Sequence, residues 1–230
     1  MLDMRMISQY LPDFFEALLE TLKVAALSGV FSLLIGTVVG ILSTMKSKFA
    51  IIPVGIYTGF IRSTPLLVQL YFVHYGLPIT GLMLTSFQSA IVAFSLNSGA
   101  YISEIVRGGL NSIDRGQTEA SKALGLSWFQ TMRKVILPQV FRSILPPLIS
   151  QFSYLIKDTS LAAVLVIPEL TYTARKIAAR TYMPFESFGV PMLMYFGIYL
   201  ILALLSGIIS RNQKSGQSDA KRWFGFKKVV

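Results

Sequence analysis

At 53% hydrophobic and 14% charged, this 230-residue chain is too apolar for an ordinary soluble domain, where about 25% of residues carry charge. It has no cysteine, which excludes disulfides and thiolate metal sites and leaves the redox compartment unreadable. The net charge of +10 invites a nucleic-acid partner, but the cations flank uncharged apolar runs, as in a membrane protein, so no nucleic acid is expected.

In chain order, residues 1–23 are mixed in charge. Leu11, Phe14, Phe15, Leu18, Leu19 and Leu22 share a helical face, with Asp13, Glu16 and Glu20 mostly opposite. This predicts an interfacial helix leading into the first span. Asp3 spoils the basic start of a signal peptide, and no small-residue cleavage site follows a short apolar core.

Residues 24–44 carry no charge and are long enough to cross ~30 Å of hydrocarbon. Gly36 and Gly40 have the small-xxx-small spacing that permits close helix contact. Between Arg62 and Glu104 lie 41 residues with no Asp, Glu, Lys or Arg. One helix cannot use that length, so two spans are predicted, joined by a turn at G-L-P-I-T-G, residues 76–81. Residues 143–156 are apolar, Lys157-Asp158 interrupts them, and 161–168 resumes the run. This predicts a fourth span, bent or broken near its middle or outer third. Residues 169–186 read as polar and irregular, 187–210 as an uncharged fifth span, and 211–230 as a basic tail, solvated or resting on anionic lipid.

The loop at 105–142 is a polar, basic island. Ala120, Ala123, Leu124, Trp128, Met132 and Ile136 fall on one helical face. Gly125 interrupts this pattern where a left-handed turn would split it into two short helices, and Pro138 stops or kinks the helix after it. Lys46, Lys48, six cations of this loop and six of the tail lie on one side when the N-terminus is placed outside. The positive-inside rule therefore favours five spans, N-terminus out and C-terminus in.

Ionisable groups inside a span are expensive and mark a cavity or the bundle interior, which singles out Lys157 and Asp158, with Thr159 and Ser160 supplying hydroxyls. A structural ion pair explains Lys157 and Asp158 equally well. Asn97, Tyr101 and Glu104 share a face of the third span; path lining is favoured for Asn97 and packing for Glu104. Gln69 is helix glue or path lining. His74 reads as a satisfied imidazole and Arg62 as an interface residue.

Several stretches, in order, resemble a known family. R-S-T-P-L-L-V-Q-L at 62–70, A-Y-I-S-E-I-V-R-G-G at 100–109, G-Q-T-E-A-S at 116–121 with Gly125 and V-I-L-P at 135–138, and K-D-T-S-L at 157–161 are similar to motifs of the polar amino acid branch of ABC-importer permeases. Ser63, Ser121 and Val135 depart from the usual Gly, Ala and Ile.

The resemblance, covering about residues 15–210, implies an all-α membrane protein of five transmembrane helices in the type I importer permease fold. Its cytoplasmic coupling helix would dock an ABC ATPase dimer, with Gln117, Glu119, Ala120, Ser121, Ala123, Leu124, Gly125 and Leu126 at the contact. It implies a second permease chain, identical or paralogous, an extracytoplasmic amino-acid-binding protein, and a place in the bacterial inner membrane. Asp158 would bind a substrate ammonium and Lys157 a carboxylate, along a path with Thr159, Ser160, Asn97, Tyr101 and Gln69. Residues 129–133 and 167–170 look most like the cystine branch; glutamine, arginine and histidine stay open.

No G-x-x-x-x-G-K-[ST] occurs, so ATP and Mg²⁺ are expected on a separate ATPase and no cofactor on this chain. A proton-coupled secondary transporter using Lys157 and Asp158 is the alternative; an intramembrane enzyme lacks any nucleophile–base pair.

Overall fold

The computed structural model describes residues 4–223, with side chains through residue 210. Every regular element among these residues is helical. The helices are α1 (Met4–Leu42), α2 (Lys48–Ser63), α3 (Leu66–Tyr71), α4 (Ser86–Asn111), α5 (Arg115–Ala123), α6 (Trp128–Thr131), α7 (Leu137–Asp158), α8 (Leu170–Thr181) and α9 (Pro184–Trp223). α1, α4 and the 184–210 stretch of α9 are each long and apolar enough to cross a membrane. α7 has the length, at 22 residues, but is amphipathic.

α4 is the centre of the bundle. Its N-terminus is set by a capping box, in which Thr85 Oγ1 accepts the Gln88 N–H and Gln88 Oε1 accepts the Thr85 N–H. Ser89, Ala90, Ala93, Ser95, Ser98, Gly99, Ala100 and Ser103 are buried along it. Lipid is as apolar as leucine, so close packing rather than water exclusion holds such helices together. The α1 contact shows it: a Cβ added to Gly36 would stand 2.5 Å from Ile102 and 2.9 Å from the Gly99 carbonyl oxygen. One added to Gly40 would stand 2.7 Å from Val106.

The second predicted span is not straight. α2 and the helical run 66–80 meet at 108°. Pro65 cannot donate, and it pushes Thr64 into extended conformation, φ −110° and ψ 144°. The freed carbonyls at the end of α2 are taken by one side chain: Gln69 Nε2 donates to Ile61 O at 2.7 Å and Thr64 O at 3.1 Å. Beyond the elbow, α3 continues through a π turn (Phe72–Gly76) and a 3-10 turn (Leu77–Thr80), and Leu70 and Val73 pack on Ala90, Ala93 and Phe94.

Three further boundaries differ from expectation. α1 runs unbroken across residues 23 and 24, so residues 4–23 are the first part of a single helix. Of the predicted apolar face only Phe14 is fully buried; with Met6 and Ala17 it packs against Leu170, Ala174 and Ile177 of α8. α8 itself falls in the segment expected to be irregular. Its buried residues recur at i, i+4 and i+7, and the Glu169 carboxylate accepts the N–H groups of Thr171 (2.9 Å) and Tyr172 (2.6 Å), capping it. Tyr195 of α9 donates to the same carboxylate at 3.0 Å. Burial pushes the Glu169 carboxyl above its usual range, and these three hydrogen bonds oppose that rise. The loop expected at 105–142 narrows to 112–136, because α4 continues to Asn111 and α7 starts at Leu137. At 211 the backbone of α9 continues to Trp223, so no boundary falls there; residues 224–230 of the expected basic tail lie outside the described residues.

Candidate functional site

Two places gather the residues singled out in the sequence. The first is a cavity of about 480 Å³ with three walls. The elbow gives Thr64, Pro65 and Leu66; α4 gives Asn97 and Tyr101, one helical turn apart; α7 gives Gln151, Tyr154 and Asp158, spaced three and four on one face. Asn97 is buried and donates through Nδ2 to Gln69 Oε1 at 3.0 Å. Gln151 Nε2 donates to Ser98 Oγ at 3.2 Å. Asp158 has no hydrogen-bond or ion-pair partner among the described residues, which leaves its carboxylate as the one formal charge lining the cavity.

Of the seven predicted path residues, Asn97, Tyr101 and Asp158 line this cavity and four do not. Gln69 is occupied in capping α2 and holding Asn97, which makes it helix glue. Thr159 is fully buried and donates to the Ile156 carbonyl at 2.6 Å, closing the end of α7 where it tightens into a 3-10 turn (Thr159–Leu165). Ser160 lies on that turn, away from the cavity lining. Lys157 projects the other way, into a groove of about 560 Å³ between α7 and α9. Neighbouring helical residues do not face each other, so Lys157 and Asp158 cannot grip both ends of one substrate within this cavity.

Thr64, Gln151 and Tyr154 join the site without having been singled out. The polar spacing of Gln151, Tyr154 and Asp158 along an apolar helix was the available signal. Glu104 and Arg62 pack, as their positions suggested. Glu104 accepts from Arg107 Nε at 3.2 Å and lies 3.9 Å from Arg62, whose guanidinium stands over the Tyr101 ring at 5.3 Å. His74 is satisfied by Ser89 Oγ at 2.9 Å. A larger groove, about 660 Å³, lies between α1 and α8 and holds none of the predicted path residues.

The second place is the knob at 112–136. Asp114 caps α5 by accepting the Gly116 N–H. Gly125 takes the left-handed conformation, φ +72°. The Leu126 N–H reaches the Ser121 carbonyl and the Gly125 N–H reaches that of Lys122, the paired bonds of a Schellman turn. Ser127 and Gln130 then form a capping box for α6. Gln139 ties the knob to α7, donating to Gln117 Oε1 at 3.2 Å and to Val135 O at 2.9 Å. A π turn (Met132–Ile136) delivers the chain into α7, so Pro138 sits in its first turn and does not stop it.

Ser121 faces inward and is buried, donating to the Gln117 carbonyl, so it is not part of the docking surface the sequence suggested. The apolar groups face outward: Leu124 is 79%, Trp128 72% and Phe129 63% exposed. These side chains stand on a loop whose two short helices are capped by Asp114 and Ser127.

Residues 32–216 match the family described as binding-protein-dependent transport system inner membrane component. The chain is 35% identical over 206 residues to the arginine transport system permease protein ArtQ of Bacillus subtilis, covering 89% of this chain and 94% of ArtQ. It is 38% identical over 200 residues to the probable glutamine ABC transporter permease protein GlnP of the same organism, covering 85% and 91%. Among solved structures, an amino acid ABC transporter crystallised with histidines superimposes with a TM-score of 0.85 at 32% identity, covering 92% of this chain and 99% of that one. The MetNI methionine ABC transporter shares the fold, with a TM-score of 0.70 at 20% identity. The chain belongs to the family of binding-protein-dependent transport system inner membrane components.

Proposed function

We propose that the chain is the permease subunit of an ATP-driven importer for a polar L-amino acid in the bacterial inner membrane, N-terminus out and C-terminus in, with five spans. The observation that carries the reading is the cavity at the α2–α3 elbow: one unpaired carboxylate, Asp158, ringed by the neutral polar side chains of Asn97, Tyr101, Gln151 and Thr64. A carboxylate in a low-dielectric site binds an ammonium by a charge-assisted hydrogen bond. Cystine, glutamine, arginine and histidine are the candidates within that class. The named relatives point to arginine and glutamine, and the weak likeness at 167–170 points to cystine.

An ATPase dimer docks on Leu124, Trp128 and the exposed residues Gln117, Glu119, Ala120 and Ala123 around them. ATP and Mg²⁺ belong to that partner. Closure of the dimer moves the knob, and the spans rock between two rigid arrangements around the cavity. An external binding protein delivers the substrate.

The test is uptake by the reconstituted complex with unlabelled amino acids as competitors, in native chain, Asp158→Asn and Gly125→Asp. Asp158→Asn should lose uptake and spare nucleotide hydrolysis. Gly125→Asp strains the left-handed turn and should abolish uptake and its coupling to hydrolysis while the chain still inserts. Normal uptake by Asp158→Asn removes the cavity assignment; normal uptake by Gly125→Asp removes the docking assignment.

A further inference from the structure

The groove of about 660 Å³ between α1 and α8 shares no lining residue with the elbow cavity, and its two walls carry opposite charge. Asp13, Glu16 and Glu20, at i, i+3 and i+7, stand on the α1 wall; Lys176 and Arg180, at i and i+4, stand on the α8 wall. Like charges at these spacings repel along each helix, and pairing across the groove would relieve both rows. No such pair forms among the described residues. Glu20 pairs with Lys23 of its own helix at 3.1 Å, and Asp13, Glu16, Lys176 and Arg180 have no ion-pair partner.

The fold keeps the two rows apart. The Leu170 N–H donates to Thr21 Oγ1 at 3.2 Å, which seats the start of α8 beside α1. Phe14 and Ala17 pack against Ala174 and Ile177, all buried, and Ala17 and Ile177 line the bottom of the groove. That seam sets the spacing of the walls, so the groove is pre-formed, and its volume falls within the ~300–1,000 Å³ of small-molecule sites. Glu20 lies ~6 Å and Asp13 ~16 Å before the uncharged run that begins at Val24, at 1.5 Å per residue. The headgroup layer is roughly 5–7 Å deep on each face of a bilayer, so the groove reaches from headgroups into water.

We propose that this groove binds a zwitterion, its ammonium on the carboxylates of α1 and its acidic group on Lys176 and Arg180. An ion of one sign satisfies one wall and is repelled by the other. A molecule with both charges satisfies both through charge-assisted hydrogen bonds, and the Arg180 fork can hold a carboxylate or a phosphate by two of them. Two sources share that chemistry: a free α-amino acid arriving from water, and the phosphoethanolamine head of a lipid arriving from the bilayer. Leu19 lines the groove and is 68% exposed, an apolar lip for an acyl chain in the second case. Asp158 plays no part in this site.

The absence of native cysteine makes the test direct. Thr173→Cys puts a single trifluoromethyl label on the groove wall. The full chain, with its ATPase, is placed in nanodiscs of phosphatidylglycerol alone, and the fluorine shift is followed as glycine is added. In a second arm phosphatidylethanolamine replaces part of the phosphatidylglycerol. A saturable shift with glycine supports the site and names the free amino acid. A shift with phosphatidylethanolamine that glycine leaves unmoved supports the site and names the lipid head. Lys176→Gln with Arg180→Gln, both exposed, should weaken the response by about tenfold or more. No shift in either arm, an equal shift with ammonium acetate, or an unchanged response in that double variant overturns the site. Asp158→Asn should leave the shift as it is, so loss of uptake by that variant and loss of this shift are separate results. A shift that vanishes with Asp158→Asn reports the elbow cavity and also overturns the site.

Discussion

α4 and α9 are both long enough to cross a membrane, and α9 is the more hydropathic, yet their burial runs the other way. Over their most apolar stretches 67% of α4 is buried and none of α9. α4 is built of serine, alanine and glycine, which let neighbouring backbones approach, whereas α9 presents Met192, Leu193, Phe196, Leu200 and Leu204 outward. In water the greasier helix would be the core. In a bilayer the solvent is itself apolar, so large side chains face it and small ones make the helix contacts. Hydropathy in this chain marks the lipid-facing shell, and the core is read from small residues.

The sharpest way to break the comparison is to put bulk into α4's contacts. Gly36→Leu drives a side chain into Ile102 and the Gly99 carbonyl, an overpacking that α1 and α4 cannot relieve without separating. A loss of about 3 kcal/mol is expected, seen as a collapsed yield of monodisperse protein and a lowered melting temperature in detergent. An unchanged melting temperature would mean that the α1–α4 seam is loose and the contrast with α9 is not one of packing.

A smaller loss is expected at the elbow. Gln69→Ala strips the α2 carbonyls of their donor and leaves Asn97 without its acceptor, both in buried surroundings. Unpaired buried polar groups cost about 1–3 kcal/mol. Thermal unfolding in detergent should show that loss, with Gln69→Glu failing to restore it because a carboxylate cannot donate. Recovery by Gln69→Glu would show that the amide is not what holds the bend.

The same physics decides which features were legible in the sequence. Uncharged runs located α1, α4 and the apolar stretch of α9, because charge is what lipid rejects, and Gly125 announced its turn because only glycine sits easily at that φ. The elbow was hidden although Pro65 was in plain view, since an uncharged run says nothing about the direction of the backbone. α8 was hidden by its polar residues, and Glu169, an unusual capping residue, gave no start signal. In the site, Asn97, Tyr101 and Asp158 were legible from type and depth. Which of Lys157 and Asp158 enters the cavity was not, because it depends on how α7 is rotated, which α4 and α9 decide by contact.

The least disruptive change probes α9 directly. A Cβ at Gly207 meets nothing within 4 Å, so Gly207→Leu should leave unfolding of the single chain within about 0.5 kcal/mol of the native value. In a helix that is buried nowhere along this stretch, added bulk costs the protomer little. If lipid alone covers this face, assembly is equally indifferent, and particle size in detergent stays that of the native permease. If a second copy seats in the α7–α9 groove, the leucine holds the two backbones apart where small residues had let them meet, and dimers are lost while protomer stability is kept. Particle size and melting temperature measured on one sample separate the two, because only a covered α9 moves the first without the second.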